Sequence, residues 1–216
     1  MTGEAQASDQ GWLRRHGQLL FNVWLFTVVL VWIGSETHKT WVAGKLNYVE
    51  VSFAVQNLVM AGLILVRTRH RAVDRSLWRQ AVALIAFFSG MAFIGQPTSG
   101  GETAARVSEG LTFASNLLGL ATLLNLGRSF GILIALRKVR TGGLYSIVRH
   151  PMYGTDILLR VGFLVSHVTP LTVALFLVSS GCYVYRAMLE EKFLSQDPEY
   201  VEYMKRVRWR FIPFIF

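Results

Sequence analysis

The chain has 216 residues, of which 52% are hydrophobic and only 16% are charged, and its mean hydropathy is positive at +0.40. Its formal net charge is +9. The apolar residues come in long blocks, which argues against the half-apolar helices of a soluble globular domain. The composition instead indicates a protein of the lipid bilayer, in which a spanning helix needs roughly 20 mostly apolar residues.

Five apolar blocks run along the chain, at residues 17–34, 46–66, 81–95, 107–126 and 157–189. Pro170 divides the last block into two limbs, so residues 167–170 are predicted to form the turn of a hairpin. We therefore predict an all-α, polytopic integral membrane protein with about six transmembrane helices and a C-terminal helical hairpin. Residues 1–126 would supply four helices, and residues 127–216 the hairpin and a tail within the same compact domain.

Basic residues predict the orientation in the membrane. Of the 22 Lys and Arg residues, seventeen fall on one alternate set of connections and termini, and only Lys39, Lys45 and Arg106 fall on the other. By the positive-inside rule, both termini are cytoplasmic. Because topology explains much of the positive charge, nucleic acid is not predicted as a partner.

Polar residues inside apolar blocks are candidates for function, because charge at membrane depth is costly. Glu50 lies close to the end of its block, which favours an interfacial carboxylate. Asp156 and Arg160 are one helical turn apart and are predicted to form an ion pair. Cys182 is the only cysteine and the histidines are scattered, so no metal site is predicted.

Two charged segments flank the predicted hairpin on its cytoplasmic side. The glycine-flanked, aromatic segment 141–154 contains Arg149 and His150, and the second limb ends at Glu190 and Glu191. Adjacent carboxylates repel each other, and a helix C-terminus disfavours negative charge. Cationic partners would relieve both effects, so we predict that the two segments meet around a zwitterionic small molecule.

In their order along the chain, these elements resemble the superfamily of isoprenylcysteine carboxyl methyltransferases and phospholipid methyltransferases, which are integral membrane enzymes. The family pattern is Gly-x-Tyr, then Arg-His-Pro-x-Tyr, a helical hairpin, Glu-Glu and a Tyr-x-x-Tyr tail that ends in Pro. The matching residues are Gly143, Tyr145, Arg149, His150, Pro151, Tyr153, Glu190, Glu191, Tyr200, Tyr203 and Pro213. The resemblance covers about residues 126–216. Residues 126–131 are similar to bacterial members, which implies the bacterial inner membrane.

This resemblance implies S-adenosylmethionine as methyl donor and a lipophilic small molecule or lipid as acceptor, with the active site facing the cytoplasm. Residues 127–216 would then be the cofactor-binding part. The carboxylates would accept hydrogen bonds from the donor's ammonium or ribose, and the cations would bind its carboxylate. The implied cofactor-binding residues are Gly142, Gly143, Tyr145, Arg149, His150, Tyr153, Gly154, Glu190 and Glu191.

The basic tail supplies candidates for catalysis on the acceptor. By analogy with the family, Arg208 or Arg210 would orient an acceptor carboxylate, and Glu202 is a candidate general base. An equally favoured alternative is that the tail binds anionic membrane lipids. The sequence of residues 207–210 differs from the family's Val-Pro-Thr-Gly type segment, which argues against a prenylcysteine acceptor. The basic run at residues 135–140 has no predicted role.

Two other function classes remain. A membrane reductase of the sterol-reductase type has a distantly similar C-terminal hairpin and binds NADPH. A transporter or binding protein would use the charged ends only for topology. The repeated, broken helices typical of transporters are not evident in the sequence, so the methyltransferase is the preferred hypothesis.

Overall fold

Seven helices and one short two-stranded ribbon form the fold of the described residues. The computed structural model describes residues 2–68 and 70–215, with side chains from Gly17 onward, so the side chains of Arg14 and Arg15 and all of Arg69 lie outside the described residues. The helices are α1 (Thr2–Val42), α2 (Tyr48–Val66), α3 (Leu77–Phe88), α4 (Glu102–Leu126), α5 (Pro151–Ser166), α6 (Pro170–Leu194) and α7 (Pro198–Arg206). The strands β1 (Ala72–Val73) and β2 (Ala135–Leu136) pair antiparallel. Short 3₁₀ turns cover Ser89–Phe93, Gly127–Ser129 and Gly143–Ser146.

Local sequence explains where several helices begin. The side chain of Asn47 accepts hydrogen bonds from the Val49 and Glu50 amides at the start of α2. Thr169 and Thr172 form a reciprocal capping box at the start of α6, where Pro170 occupies a position that needs no amide donor. Since α5 ends at Ser166, the predicted hairpin turn at residues 167–170 is confirmed.

The predicted all-α membrane class is confirmed. Among the described residues, four helical stretches are long and apolar enough to cross a membrane: Gly17–Val42, Tyr48–Val66, Glu102–Ser129 and Pro170–Leu194. The other two predicted helices are present but shorter, with 12 residues in α3 and 16 in α5. Four long helices and two shorter ones therefore take the place of six equivalent spans. The terminal helix α7 is amphipathic rather than apolar.

The helices are arranged so that an internal space is left between them. The helix α4 packs against both α2 and α5, α1 packs on α2, and α3 packs on α6. The main apolar cluster joins α1, α2 and α4 through Leu25, Ile64 and Leu123, which are fully buried. Leu84 and Phe87 of α3 also pack against this cluster. Helices from both ends of the chain thus enclose one cavity.

A clamped loop forms one side of this enclosure. Gln80 of α3 donates to the Ile134 carbonyl at 3.0 Å and accepts from the Ile134 amide at 3.0 Å. The buried guanidinium of Arg186 donates to the carbonyls of Ala83 at 3.0 Å and Ile132 at 2.5 Å. These bonds fix residues 132–136 against α3 and α6, although the loop has almost no regular structure.

Candidate functional site

One cavity of about 490 Å³ runs from its mouth, at the N-terminal end of α5 and the C-terminal end of α6, into the helix bundle. This volume lies within the range of sites for small molecules and cofactors, about 300–1,000 Å³. The inner part is apolar and is lined by aromatic and aliphatic side chains. They include Val28, Trp32, Phe53, Met60, Phe87, Phe93 and Phe163.

At its mouth the cavity is charged and aromatic. The residues of the two predicted segments that line it are Tyr145, Arg149, His150, Met152, Tyr153 and Glu190. The predicted meeting of the segments before and after the hairpin is therefore present in the structure. Charged groups and apolar walls follow each other along one continuous space.

The carboxylate of Glu191 holds this mouth together. Its Oε1 atom accepts from Arg149 Nε at 2.7 Å and lies 3.1 Å from His150 Nε2, while its Oε2 accepts from Arg210 Nε at 3.0 Å. Arg149, His150 and Glu191 are each less than a tenth exposed at their side chains. Because Glu191 already contacts three cationic or ionisable side chains, its role in the structure is to fix their positions.

Main-chain hydrogen bonds join the tail to the start of α5 at the same place. The amides of Arg149 and His150 donate to the carbonyls of Trp209 and Arg210, both at 2.8 Å. The Arg149 guanidinium also donates to the Val207 carbonyl at 2.8 Å. The tail is thus part of the site's wall.

The two tail tyrosines explain why residues 198–210 lie where they do. Tyr200 and Tyr203 are almost completely buried, and the Tyr203 hydroxyl donates to the Tyr145 carbonyl at 2.7 Å. Burial raises the pKa of the Tyr203 hydroxyl, so it stays protonated and able to donate. The Tyr-x-x-Tyr pattern therefore anchors α7 beneath the mouth of the cavity.

Glu190 differs from Glu191 in its surroundings. It lines the cavity, its side chain is 16% exposed, and one oxygen accepts from Arg186 Nε at 3.3 Å. The guanidinium of Arg186 lies over the Tyr153 ring at 5.0 Å, and the His150 ring stacks near the same tyrosine at 5.3 Å. Glu190 is thus the carboxylate with a face toward the cavity, beside a rigid aromatic wall.

The remaining predicted site residues lie outside the cavity lining. Glu202 is exposed and pairs with Lys205 at 2.6 Å, which lowers the pKa of its carboxyl. The exposed side chain of Arg208 borders a separate surface pocket with Trp209 and Phe214. Arg210 lies at the site through its bond to Glu191. Of the three predicted acceptor-side residues, only Arg210 joins the charged mouth.

The three predicted site glycines differ in their surroundings. Gly143 has a φ of +59°, and a Cβ on it would lie 2.6 Å from Asn125 Nδ2. Gly154 would bring a Cβ to 3.4 Å from the Phe211 carbonyl oxygen, whereas Gly142 has open space around it. Gly143 is required by its left-handed conformation and by its close approach to α4.

The prediction that the side chains of Asp156 and Arg160 form a direct ion pair is wrong. Arg160 Nη1 donates to the main-chain carbonyl of Asp156 at 2.7 Å, and Nη2 donates to Ser89 Oγ at 3.0 Å. The guanidinium also lies 4.7 Å from the Tyr183 ring. The Arg160 side chain therefore joins α5 to α3 and α6 through a carbonyl, a hydroxyl and a ring rather than through the carboxylate.

Replacing Glu191 by Gln should destabilise the protein, because Arg149 would keep its buried charge and lose its counter-ion. The expected loss is about 3 kcal/mol, or roughly 5–10 °C in unfolding temperature for a chain of this size. Thermal unfolding in detergent, followed by tryptophan fluorescence, measures it. Glu202→Gln is the matched control and should unfold like the unmodified protein; equal unfolding temperatures for the two variants would exclude the structural role of Glu191.

Replacing Gly143 by Ala should also lower the unfolding temperature. The left-handed conformation costs a residue with a Cβ about 1–2 kcal/mol, and the contact with Asn125 adds to this. Gly142→Ala, one residue away in open space and at negative φ, is the control and should be neutral. If both substitutions proved equally harmless in the same thermal measurement, Gly143 would have no conformational requirement.

Comparison with known proteins places the C-terminal part of the chain in a family. The phospholipid methyltransferase family model matches residues 111–197. Protein-S-isoprenylcysteine O-methyltransferase B of Arabidopsis thaliana is 34% identical over 99 residues, which cover 42% of this chain and 50% of that protein. The chain thus spans about half the length of this curated relative.

Among solved structures, the eukaryotic intramembrane Ras methyltransferase ICMT (isoprenylcysteine carboxyl methyltransferase) aligns with 88% of this chain and 74% of its own, at 18% identity and a TM-score of 0.48. The family match and the curated relative agree with the motifs at the cavity mouth. The C-terminal part of the chain is therefore similar to the phospholipid methyltransferases and to an isoprenylcysteine methyltransferase.

Proposed function

We propose that this protein is an integral membrane methyltransferase that transfers a methyl group from S-adenosylmethionine to a lipophilic small molecule or lipid. The observation that carries the proposal is the continuous cavity, which is charged and aromatic at one end and apolar at the other. One end suits a water-soluble zwitterion and the other a hydrophobic acceptor. The similarity of residues 111–197 to the phospholipid methyltransferase family supports the same conclusion.

The residues at the mouth fit such a donor. Glu190 presents a carboxylate that can accept hydrogen bonds from an ammonium or from ribose hydroxyls. Tyr145 and Tyr153 add buried aromatic surface beside it, and Tyr153 is held in place by His150 and Arg186. A zwitterionic nucleoside therefore finds acceptors, donors and flat apolar surfaces within one wall.

When bound, the donor supplies an activated methyl group: its carbon–sulfur bond breaks as the acceptor's nucleophile bonds to carbon, and the sulfonium becomes a neutral thioether. What the chain contributes is alignment of the two reactants and exclusion of water, which would compete as nucleophile. The fixed mouth around Glu191 would align the two reactants. The enclosure by α1, α3 and α6 would exclude water.

The acceptor would occupy the apolar inner part. Phe53 and Met60 of α2 and Phe87 of α3 provide a surface for a hydrocarbon chain or ring. Two amides, Gln56 and Asn57, are buried on the same wall. We propose an acceptor with a lipophilic body that enters from the bilayer, while the donor enters from the cytoplasm.

The tail also has a proposed membrane role. Arg206 and Arg208 lie beside Trp209 and Phe214 around a surface pocket, and Phe214 is 86% exposed. Basic groups next to exposed aromatic side chains are typical of contacts with anionic lipid headgroups. Arg208 is accordingly proposed to bind lipid at the surface, which leaves Arg210 as the tail arginine at the active site.

Titration calorimetry of the detergent-solubilised protein tests the function directly. S-adenosylhomocysteine should bind in the low micromolar range or tighter, and NADPH should not bind. Glu190→Gln should weaken S-adenosylhomocysteine by roughly 10- to 100-fold, as expected for the loss of a charged hydrogen bond of about 1.5–3 kcal/mol. Glu202→Gln, which also removes one carboxylate, should leave the affinity unchanged.

Binding of NADPH instead would favour the reductase, and binding of neither ligand would favour a transporter or binding protein. Unchanged affinity in Glu190→Gln would move the donor site elsewhere. Incubation of membranes with radiolabelled S-adenosylmethionine, followed by identification of the labelled lipid extract, would then name the acceptor.

A further inference from the structure

The proposed function gives the basic run at residues 135–140 no role, yet this run forms part of the cavity wall. Arg137, Lys138 and Arg140 all line the cavity. Lys138 and Arg140 are exposed, whereas Arg137 is only 8% exposed. A buried guanidinium that faces a cavity needs a physical explanation, because a buried charge is costly unless it is paired.

Contacts of the surrounding structure fix the position of Arg137. It follows β2, whose position is fixed by pairing with β1 and by the hydrogen bonds of Gln80 to Ile134. Its guanidinium lies directly against Gly131, in the space that a Cβ at residue 131 would take. A glycine at position 131 is therefore what allows the Arg137 side chain to fold back along the wall.

No carboxylate among the described residues lies within 4.0 Å of Arg137, and its buried Nε has no hydrogen-bond partner. The negative charge of Glu190 attracts the Arg137 guanidinium, but the direct partner of Glu190 is Arg186, at 3.3 Å. The positive charge of Arg137 is thus left without a direct counter-ion.

A second buried cation increases this excess of charge. Arg67, at the end of α2, is 6% exposed, and its side-chain partner is the neutral oxygen of Asn22, which accepts from Arg67 Nε at 2.8 Å. Its Nη1 atom is also buried without a partner. Burial and the charge of Arg137 lower the pKa of Arg67 to about 10, so Arg67 is still cationic at neutral pH.

We propose that Arg137 forms an oxyanion subsite in the cavity wall, which takes a carboxylate or phosphate group of the bound ligand. A planar guanidinium matches either group through two parallel hydrogen bonds. The positive charge of Arg67 behind it strengthens the attraction. An incoming anion would supply the counter-ion that the described part of the chain does not provide.

The existence of this subsite is independent of the proposed function, but the origin of its anion rests on it. One source is the donor's own carboxylate, since Glu191 already engages Arg149 and His150, the cations predicted for that role. The other source is an acidic group on the acceptor. Both present the same oxyanion chemistry to Arg137.

Inorganic phosphate is the probe for the subsite itself. At constant ionic strength, phosphate should raise the unfolding temperature of the solubilised protein more than chloride does. Arg137→Gln should weaken the apparent phosphate affinity at least tenfold. Arg75→Gln removes one exposed positive charge away from the cavity and should respond like the unmodified protein.

Two further variants separate loss of the site from loss of the fold. Gly131→Ala keeps every charge but displaces the guanidinium, and it should reduce the phosphate affinity at least fivefold. Arg137→Lys should retain part of the affinity. A phosphate response that is absent from the unmodified protein, or unchanged in both Arg137→Gln and Gly131→Ala, would overturn the proposal.

The source of the anion follows from two ligands. If the donor's carboxylate occupies the subsite, the unmodified protein should bind S-adenosylhomocysteine at least tenfold more tightly than its decarboxylated analogue, and Arg137→Gln should lose this preference. If Arg137→Gln leaves the preference unchanged while abolishing the phosphate response, the acceptor carries the anion. If neither nucleoside binds, the proposed function fails while the phosphate result still stands.

Discussion

The carboxylate of Glu191 makes the interaction on which the mouth of the cavity depends. Forty-two residues separate Arg149 from Glu191 and nineteen separate Glu191 from Arg210, yet the three side chains meet at 2.7–3.0 Å. One acidic group at a helix end thus joins the entrance of the hairpin, its exit and the tail. Removing it would leave several positive charges at the same mouth with one anion fewer.

The two adjacent carboxylates, Glu190 and Glu191, have different roles in this arrangement. Glu191 is enclosed by cations and serves the architecture, whereas Glu190, one residue earlier on α6, lines the cavity beside Arg186. Successive residues of a helix point about 100° apart, so neighbouring acids reach different surroundings. The Glu-Glu pattern thus combines a group that positions cations and a group that lines the cavity.

A second constraint is the bilayer itself. The cavity provides two environments in series, a charged and aromatic mouth and an apolar inner part. The shorter helices α3 and α5 leave room at the mouth, and the clamped loop, the tail and α7 fill it. The polar main chain of the clamped loop is tolerated because Gln80 and Arg186 satisfy its groups.

The sequence predicted much of this fold. Apolar blocks and Pro170 gave the six helices and the hairpin turn, because bilayer burial imposes length and hydropathy on each segment. The order of charged motifs predicted that Arg149, His150 and Glu190 would meet. The lengths of α3 and α5 were not predicted, since a helix that ends against a loop needs no full span of apolar residues.

What sequence alone could not give is which charged groups pair with one another. The bond of Arg160 to a main-chain carbonyl and the isolation of Arg137 depend on where the loop at residues 132–137 packs, and that loop has no periodic signal. Glu202 and Arg208 resemble functional residues by type, but amphipathic α7 directs Glu202 to the surface, and Arg208, two residues after the end of α7, is also exposed. Side-chain direction in a tail of a few residues is set by contacts such as that of Tyr203 with Tyr145.

The most direct test of the central role of Glu191 is a double-mutant cycle with Arg149. Free energies of unfolding would be measured for the unmodified protein, Glu191→Gln, Arg149→Gln and the double variant in the same detergent. A direct, buried bond should give a coupling of about 1.5 kcal/mol or more. Additive effects, within about 0.3–0.5 kcal/mol, would mean that these two segments are not held together by this ion pair.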